Sequence, residues 1–262
     1  MSEALRYELV RLRTLRSTYW LLASGLALSA LASLLFAYGS RTLPLTPEIV
    51  ADVAAAGGAS LPIPLLAAFV AAVGILATGH DYRYGTIQPT LTAMPRRTPL
   101  LVAKVFVVGA TAVLVALASL ALNLAAGILA WHHFPDLTEP PLGQILTGYV
   151  LLTLLWSVVG VALGQLFRGV PGPLVVMLAV PMLVEQVILR LQFVPSFDWV
   201  APYARFLPFT AGMQLVTFAG EASGGSATEL DMLSRWPSAA VFAAFTAFSL
   251  AAALILFNRR DA

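Results

Sequence analysis

The sequence predicts an all-α integral membrane protein with six transmembrane helices, and three observations predict it. Hydrophobic residues make up 59% of the 262 residues and charged residues 11%, with a mean hydropathy of +0.86; a soluble domain carries about 25% charged residues. The runs Ser17–Ser40, Val53–Gly79, Val105–Trp131, Pro140–Phe167 and Trp236–Asn258 contain no charge, and each exceeds the ~20 residues that cross a bilayer as a helix. Gly169–Val184 is shorter but continues through Glu185 to Phe193 with only Glu185 and Arg190 charged, which completes six. Third, the basic residues alternate between the two sides. With a cytoplasmic N-terminus, Arg6, Arg11, Arg13, Arg16, Arg83, Arg96, Arg97, Lys104, Arg168, Arg259 and Arg260 fall inside, and Arg41, Arg205 and Arg235 fall outside, with Arg190 near the outer end of span 5. Both termini are therefore expected in the cytoplasm, and 1–262 reads as a single transmembrane domain. The formal net charge of +2 is absorbed by this topology signal, so nucleic acid is not expected as a partner. Cysteine is absent, which excludes disulfides and Cys–metal sites. The first apolar run is too long, and preceded by too long a charged segment, for a cleaved signal peptide.

In chain order, residues 2–17 read as an amphipathic helix lying in the headgroup plane. Leu5, Leu9, Leu12 and Leu15 share an arc of roughly 120° at ~100° per residue, with Arg6, Arg11 and Arg13 off it and near anionic lipid. Span 1 is about 19–38, with aromatic anchors at its ends. Loop 39–60 is expected outside, punctuated by Pro44, Pro47 and Gly57-Gly58. Span 2 is about 61–78 and leads to a polar island, His80 to Lys104, which holds four of the fifteen basic residues and the only lysine. Within it Thr86 is placed to cap a short helix through its hydroxyl, Pro89 fits the first turn, and Gly85 permits a sharp entry. Ile87, Leu91 and Met94 at i, i+4 and i+7 share one face, and Pro95 ends the helix.

Span 3 is about 101–131, with Asn123 in its outer half suited to an interhelical hydrogen bond. The loop His132-His133-Phe134-Pro135-Asp136 lacks helical ligand spacing, so no metal site is expected there. Span 4, about 144–167, carries Gly160 and Gly164, a small-residue pair that lets another helix approach. Span 5, about 174–193, carries Glu185, the one acid inside a span. Arg190 lies roughly 140° round the helix from it, so Glu185 must find a partner on another helix or in the 194–220 segment, or hold its proton. The external segment 194–236 divides into an aromatic, proline-rich half that dips into the outer interface as short broken helices and a polar half, Glu221–Arg235. Span 6 is about 237–257. A P-loop needs a lysine behind a glycine loop, and Lys104 in LLVAKVF has none; this chain is not expected to hydrolyse ATP.

The island HDYRYGTIQPTLTAMPRRTPLLVAK resembles the acid–x–x–x–Gly–Thr, Pro–Arg–Arg, Ala–Lys pattern of type 2 ABC transporter permeases, with Asp81 where the family usually has Glu and Gly85, Thr86, Pro95, Arg97 and Lys104 matching. The N-terminal ELVRLRTLRSTYWLL, Val184-Glu185 and Leu207-Pro208-Phe209-Thr210 are also similar to family patterns, whereas Gln88-Pro89 departs from them. The resemblance covers the whole chain. It implies that Thr86–Met94 is a coupling helix, with Asp81, Arg83, Tyr84, Gly85, Thr86, Ile87, Leu91, Met94, Arg96 and Arg97 at the interface with a separate cytosolic ABC ATPase. It further implies that the ATPase binds ATP and Mg, that this chain needs no cofactor, and that two permease copies pair within a bacterial cytoplasmic membrane. The expected cargo is amphipathic: a drug, peptide, lipid or glycan. Glu185 and Asn123 are candidates for the substrate pathway. The competing expectation is a six-span ion-coupled carrier, which would place several ionisable residues within the membrane as a relay.

Overall fold

A computed structural model describes residues 2–58, 61, 63–93, 97–137, 139–191, 193–217 and 232–259. The described elements are all helical: α1 (Ser2–Thr14), α2 (Arg16–Gly39), α3 (Pro47–Ala54), α4 (Leu65–Arg83), α5 (Ile87–Ala93), α6 (Arg97–Trp131), α7 (Leu142–Phe167), α8 (Pro171–Leu191), α9 (Ala201–Ala204), α10 (Pro208–Met213) and α11 (Arg235–Arg259). A 3₁₀ turn, Pro195–Val200, precedes α9. Among the described residues six helices are long and apolar enough to cross a membrane, namely α2, α4, α6, α7, α8 and α11. Each falls on one of the six expected spans.

The centre of the bundle is the α4–α7 pair. In each of these helices 61% of the apolar window is buried, against 17% in α8, so the other long helices pack around them. Lipid tails are as apolar as Leu, so helices in a bilayer associate through close packing rather than hydrophobic exclusion. The small residues of α7 supply that packing. A Cβ at Gly160 would collide with the backbone of Ala71, and one at Gly164 with Thr78 and the backbone of Ile75. The Gly160/Gly164 pair therefore seats a helix of the same chain. Trp156, Leu152 and Phe242 are fully buried in the core around it. Gly160→Leu is expected to collapse the yield of monodisperse protein in size-exclusion chromatography, because the clash is with backbone that cannot move aside. Gly143→Ala, on the same helix but with nothing within 4 Å of the added Cβ, should leave the yield unchanged or slightly better.

Four local departures from the sequence reading have identifiable causes. Loop 39–60 contains α3, which Thr46 caps by accepting a bond from the Ile49 amide (3.5 Å), with Pro47 in the first turn; its Val50, Ala51, Val53 and Ala54 are buried. The N-terminal helix ends at Thr14, because Leu15 is extended (φ −80°, ψ 111°) and turns the chain into α2. The α6 helix begins at Arg97, before the expected 101, since Pro99 fits a first helical turn. Finally, α8 contains a π-helical stretch, Val180–Val184, in which the Glu185 amide bonds to the Val180 carbonyl. Pro181 has no N–H to offer the turn before it, and the widened turn accommodates that loss. Residues 218–231, which hold the end of the aromatic half and most of the polar half Glu221–Arg235 of the external segment, lie outside the described residues, as do Met94, Pro95 and Arg96.

Candidate functional site

The amphipathic reading of α1 assigns its leucines to the buried side and its charges to water. The packed helix differs. Ala4, Glu8 and Leu12 are buried, Arg11 is half-buried, and Leu9 is 47% exposed. The helix is rotated because Glu8 and Arg11 have partners beneath them. Lys104, near the start of α6, donates to Glu8 Oε1 (2.7 Å), to Asp81 Oδ2 (2.8 Å) and to the Ala77 carbonyl (2.9 Å). An ammonium has three N–H donors, and three acceptors meet it. Arg11 pairs with Asp81 through Nη2 (2.7 Å), donates Nη1 to the Ala77 carbonyl (3.0 Å) and lies 3.6 Å from Glu8. Two carboxylates and two cations are thus balanced where water is excluded: Glu8 is 1% exposed, Asp81 2% and Lys104 3%.

This cluster joins three elements, α1, the end of α4 and the start of α6, and reaches a fourth. The Thr86 hydroxyl donates to Asp81 Oδ1 (3.2 Å) at the entrance to α5. The sequence assigns this hydroxyl to accept from a free amide of α5; donating its O–H to the buried carboxylate adds a charge-assisted bond and leaves its lone pairs for that amide. The backbone of Thr86 still starts the helix, its carbonyl accepting from Thr90 N (3.2 Å). Gly85 has φ +66°, a conformation that strains any residue with a Cβ, so the sharp entry depends on it. Ile87 is 6% exposed and packs with Leu12, Val73, Leu100 and Leu101 in the chain's own core. Ile87 and Thr90 of α5 therefore point into the protein. Among the described residues of this region the outward ones are Arg83, Tyr84, Gly85, Thr86, Gln88, Pro89 and Thr92, with Tyr84 65% exposed and the Arg83 guanidinium 5.7 Å from its ring. Arg97 is half-buried and turned toward α11, donating Nη1 to the Phe257 carbonyl (2.7 Å) with its guanidinium 5.8 Å from the Phe257 ring; the side chain of Leu91, like Met94 and Arg96 as a whole, lies outside what is described.

Glu185 finds its partner in the segment between the last two long helices. Its Oε1 accepts from the Phe209 amide (3.0 Å), and its Oε2 accepts from the Thr210 amide (2.6 Å) and the Thr210 hydroxyl (2.7 Å). These amides belong to the first turn of α10, whose N-cap residue, Leu207, contributes no side-chain bond. A carboxylate on another helix thus supplies the cap that α10 lacks. Phe209 is fixed on its other side against Trp156, Phe242 and Phe245, with ring centroids 5.2 to 5.8 Å away. A cavity of about 370 Å³ opens beside Glu185, lined also by Pro181, Gln186, Thr210, Gln214 and Thr217.

Asn123 stands apart from that cavity. It donates to Ser29 Oγ (3.0 Å), the Ala54 carbonyl (2.9 Å) and Ser119 Oγ (3.3 Å), and Ser119 continues to Tyr149 Oη (3.0 Å). The network is closed to solvent and ties α2, α3, α6 and α7 together. Sequence reasoning gave Glu8 no role, read Arg11 only as a lipid-facing charge, and met Thr210 only within the family-like Leu207-Pro208-Phe209-Thr210 run. A carboxylate within the leucine arc of residues 2–17 was the available signal for Glu8. Among the described residues no group of three or more His, Asp or Glu is arranged to hold a metal ion. A comparison of the chain with models of known protein families finds no match, and a search of curated proteins finds none either.

Proposed function

We propose that this chain is the membrane-spanning permease subunit of an ATP-driven ABC exporter. The observation that carries this reading is the charged cluster. Through Thr86 and Asp81 it fastens the short helix between the second and third long helices to Lys104, Glu8 and Arg11, making α1, α5 and the ends of α4 and α6 one mechanical unit. A force applied to α5 by a cytosolic partner would move two long helices and the N-terminal helix together, as an ATP-driven rocking motion requires. In this reading Arg83, Tyr84, Gln88 and Thr92 face the ATPase, which binds ATP and Mg. Both termini lie in the cytoplasm, and two copies pair about a two-fold axis in the cell membrane. The 194–217 segment dips into the outer leaflet, where Glu185 holds α10 beside the cavity, and an amphipathic molecule is the cargo.

Reconstituted alone, the chain is expected to show no ATP hydrolysis; with its cognate ATPase it should form a stable complex of two copies each. Tyr84→Ala combined with Gln88→Asp should weaken that complex about thirtyfold, the loss typical of a truncated aromatic anchor, while membrane insertion is unchanged. Unaltered ATPase binding by this variant would place the docking surface elsewhere. Transport driven by an ion gradient without any ATPase would return the carrier reading.

A further inference from the structure

Beside the charged cluster, the outer surface of α6 carries two apolar grooves at the same depth. One, of about 390 Å³, runs between α1 and α6, with Leu5, Leu9 and Leu12 forming one wall and Val107, Ala110 and Leu114 the other. The second, of about 510 Å³, lies on the opposite flank of α6, where Val105, Gly109 and Val113 face Leu154 and Val158 of α7 and Ala247 of α11. Both volumes lie within the range of small-molecule sites, roughly 300–1,000 Å³. Phe106 and Ala110 border both grooves, and Phe106 is 64% exposed, so the two troughs straddle a single ridge. Each extends about 12 Å along α6 at ~1.5 Å per residue.

The polar end of the first groove is equally specific. At ~100° per residue, Leu5, Leu9 and Leu12 occupy about 60° of α1, and Arg6 and Arg13 fill the next 60° or so. Both arginines are exposed and border the groove. Among the described residues neither is held in an ion pair, and Glu8 is engaged by Lys104 on the buried side. Two forked cations two helical turns apart thus overhang an apolar trough that is paired with a second.

We propose that this surface binds one anionic diacyl phospholipid from the bilayer leaflet on the α1 side, its two acyl chains clasping the Phe106 ridge and its phosphate between Arg6 and Arg13. Charge complementarity selects this occupant: a protein helix would fill one groove but leave the arginines unpaired, and a zwitterionic lipid carries an ammonium beside its phosphate. The inference stands apart from the transport reading, because it needs only the membrane and α1. The lipid would hold α1 against α6, and with it the charged cluster.

Native mass spectrometry of the full chain with equimolar phosphatidylglycerol and phosphatidylcholine tests it. Each basic residue near an anionic headgroup contributes about a fivefold preference, so the wild-type protein should retain phosphatidylglycerol over phosphatidylcholine by about thirtyfold at one site. Arg6→Gln with Arg13→Gln should equalise the two lipids. Ala110→Trp, at an exposed position that borders both grooves, should lower retention of both. Arg16→Gln with Arg259→Gln removes two exposed charges away from the grooves and should leave the preference intact. No preference in the wild type, an equal loss in this control, or unchanged retention by Ala110→Trp would each overturn the site.

Discussion

Lys104→Met is expected to lower the melting temperature of the purified protein by about 10 °C. Breaking a buried ion pair by removing one partner costs about 3–5 kcal/mol, because the remaining charge stays desolvated, and a protein of this size loses roughly 2–4 °C per kcal/mol. Here the substitution strands two carboxylates, Glu8 and Asp81, each almost fully buried. Arg11 compensates Asp81 at 2.7 Å but is 3.6 Å from Glu8, so the larger deficit falls on Glu8. The double variant Glu8→Leu/Lys104→Met removes one charge of each sign and keeps the Arg11–Asp81 pair. It should therefore melt well above Lys104→Met alone, since replacing both partners by apolar groups of similar size is often close to neutral. The double-mutant cycle measures that coupling directly. Additive melting shifts, or a Lys104→Met protein as stable as the wild type, would mean that the four charges do not act as a unit.

Glu185→Leu is expected to release α10. The substitution leaves the Phe209 amide, the Thr210 amide and the Thr210 hydroxyl without their acceptor, and each unmet buried donor costs about 1–3 kcal/mol. Hydrogen–deuterium exchange at the Phe209 and Thr210 amides should accelerate by about a hundredfold, reporting local opening rather than global unfolding. Glu185→Gln should fall between the two. Its carboxamide has one oxygen where the carboxylate has two, and its NH₂ group would face a donor. An order of protection running wild type, Gln, Leu follows from the geometry, as does lost transport in the Leu variant if α10 borders the pathway. Unchanged amide protection in Glu185→Leu would show that the cap contributes nothing.

The sequence by itself determined the class of the protein and the number and order of its long helices. That information is local: a backbone in hydrocarbon must satisfy its own N–H and C=O groups, so ~20 apolar residues in a row admit one solution. The small-residue pair Gly160/Gly164 was likewise legible as a close approach, although only the packing identified α4 as the helix that approaches. The family-like pattern of the island drew attention to Asp81, Thr86 and Lys104 without saying what joins them. Tertiary structure decided the rest. Glu8 and Lys104 are 96 residues apart, and on a lone helix Glu8 reads as a charge that must face water. It faces inward because the Lys104 ammonium of α6, shared with Asp81 of α4, is there to pair with it and offset the loss of hydration. Burial of Ile87 has the same origin, since fastening Thr86 to Asp81 turns the adjacent Ile87 into the core. By sequence Glu185 had to find a partner on another helix or in the 194–220 segment, or hold its proton, and the unmet amides at the start of α10 decided for the segment. Periodicity along a chain records which residues avoid water, but the partner that lets a charge avoid it is set by contacts between helices far apart in sequence.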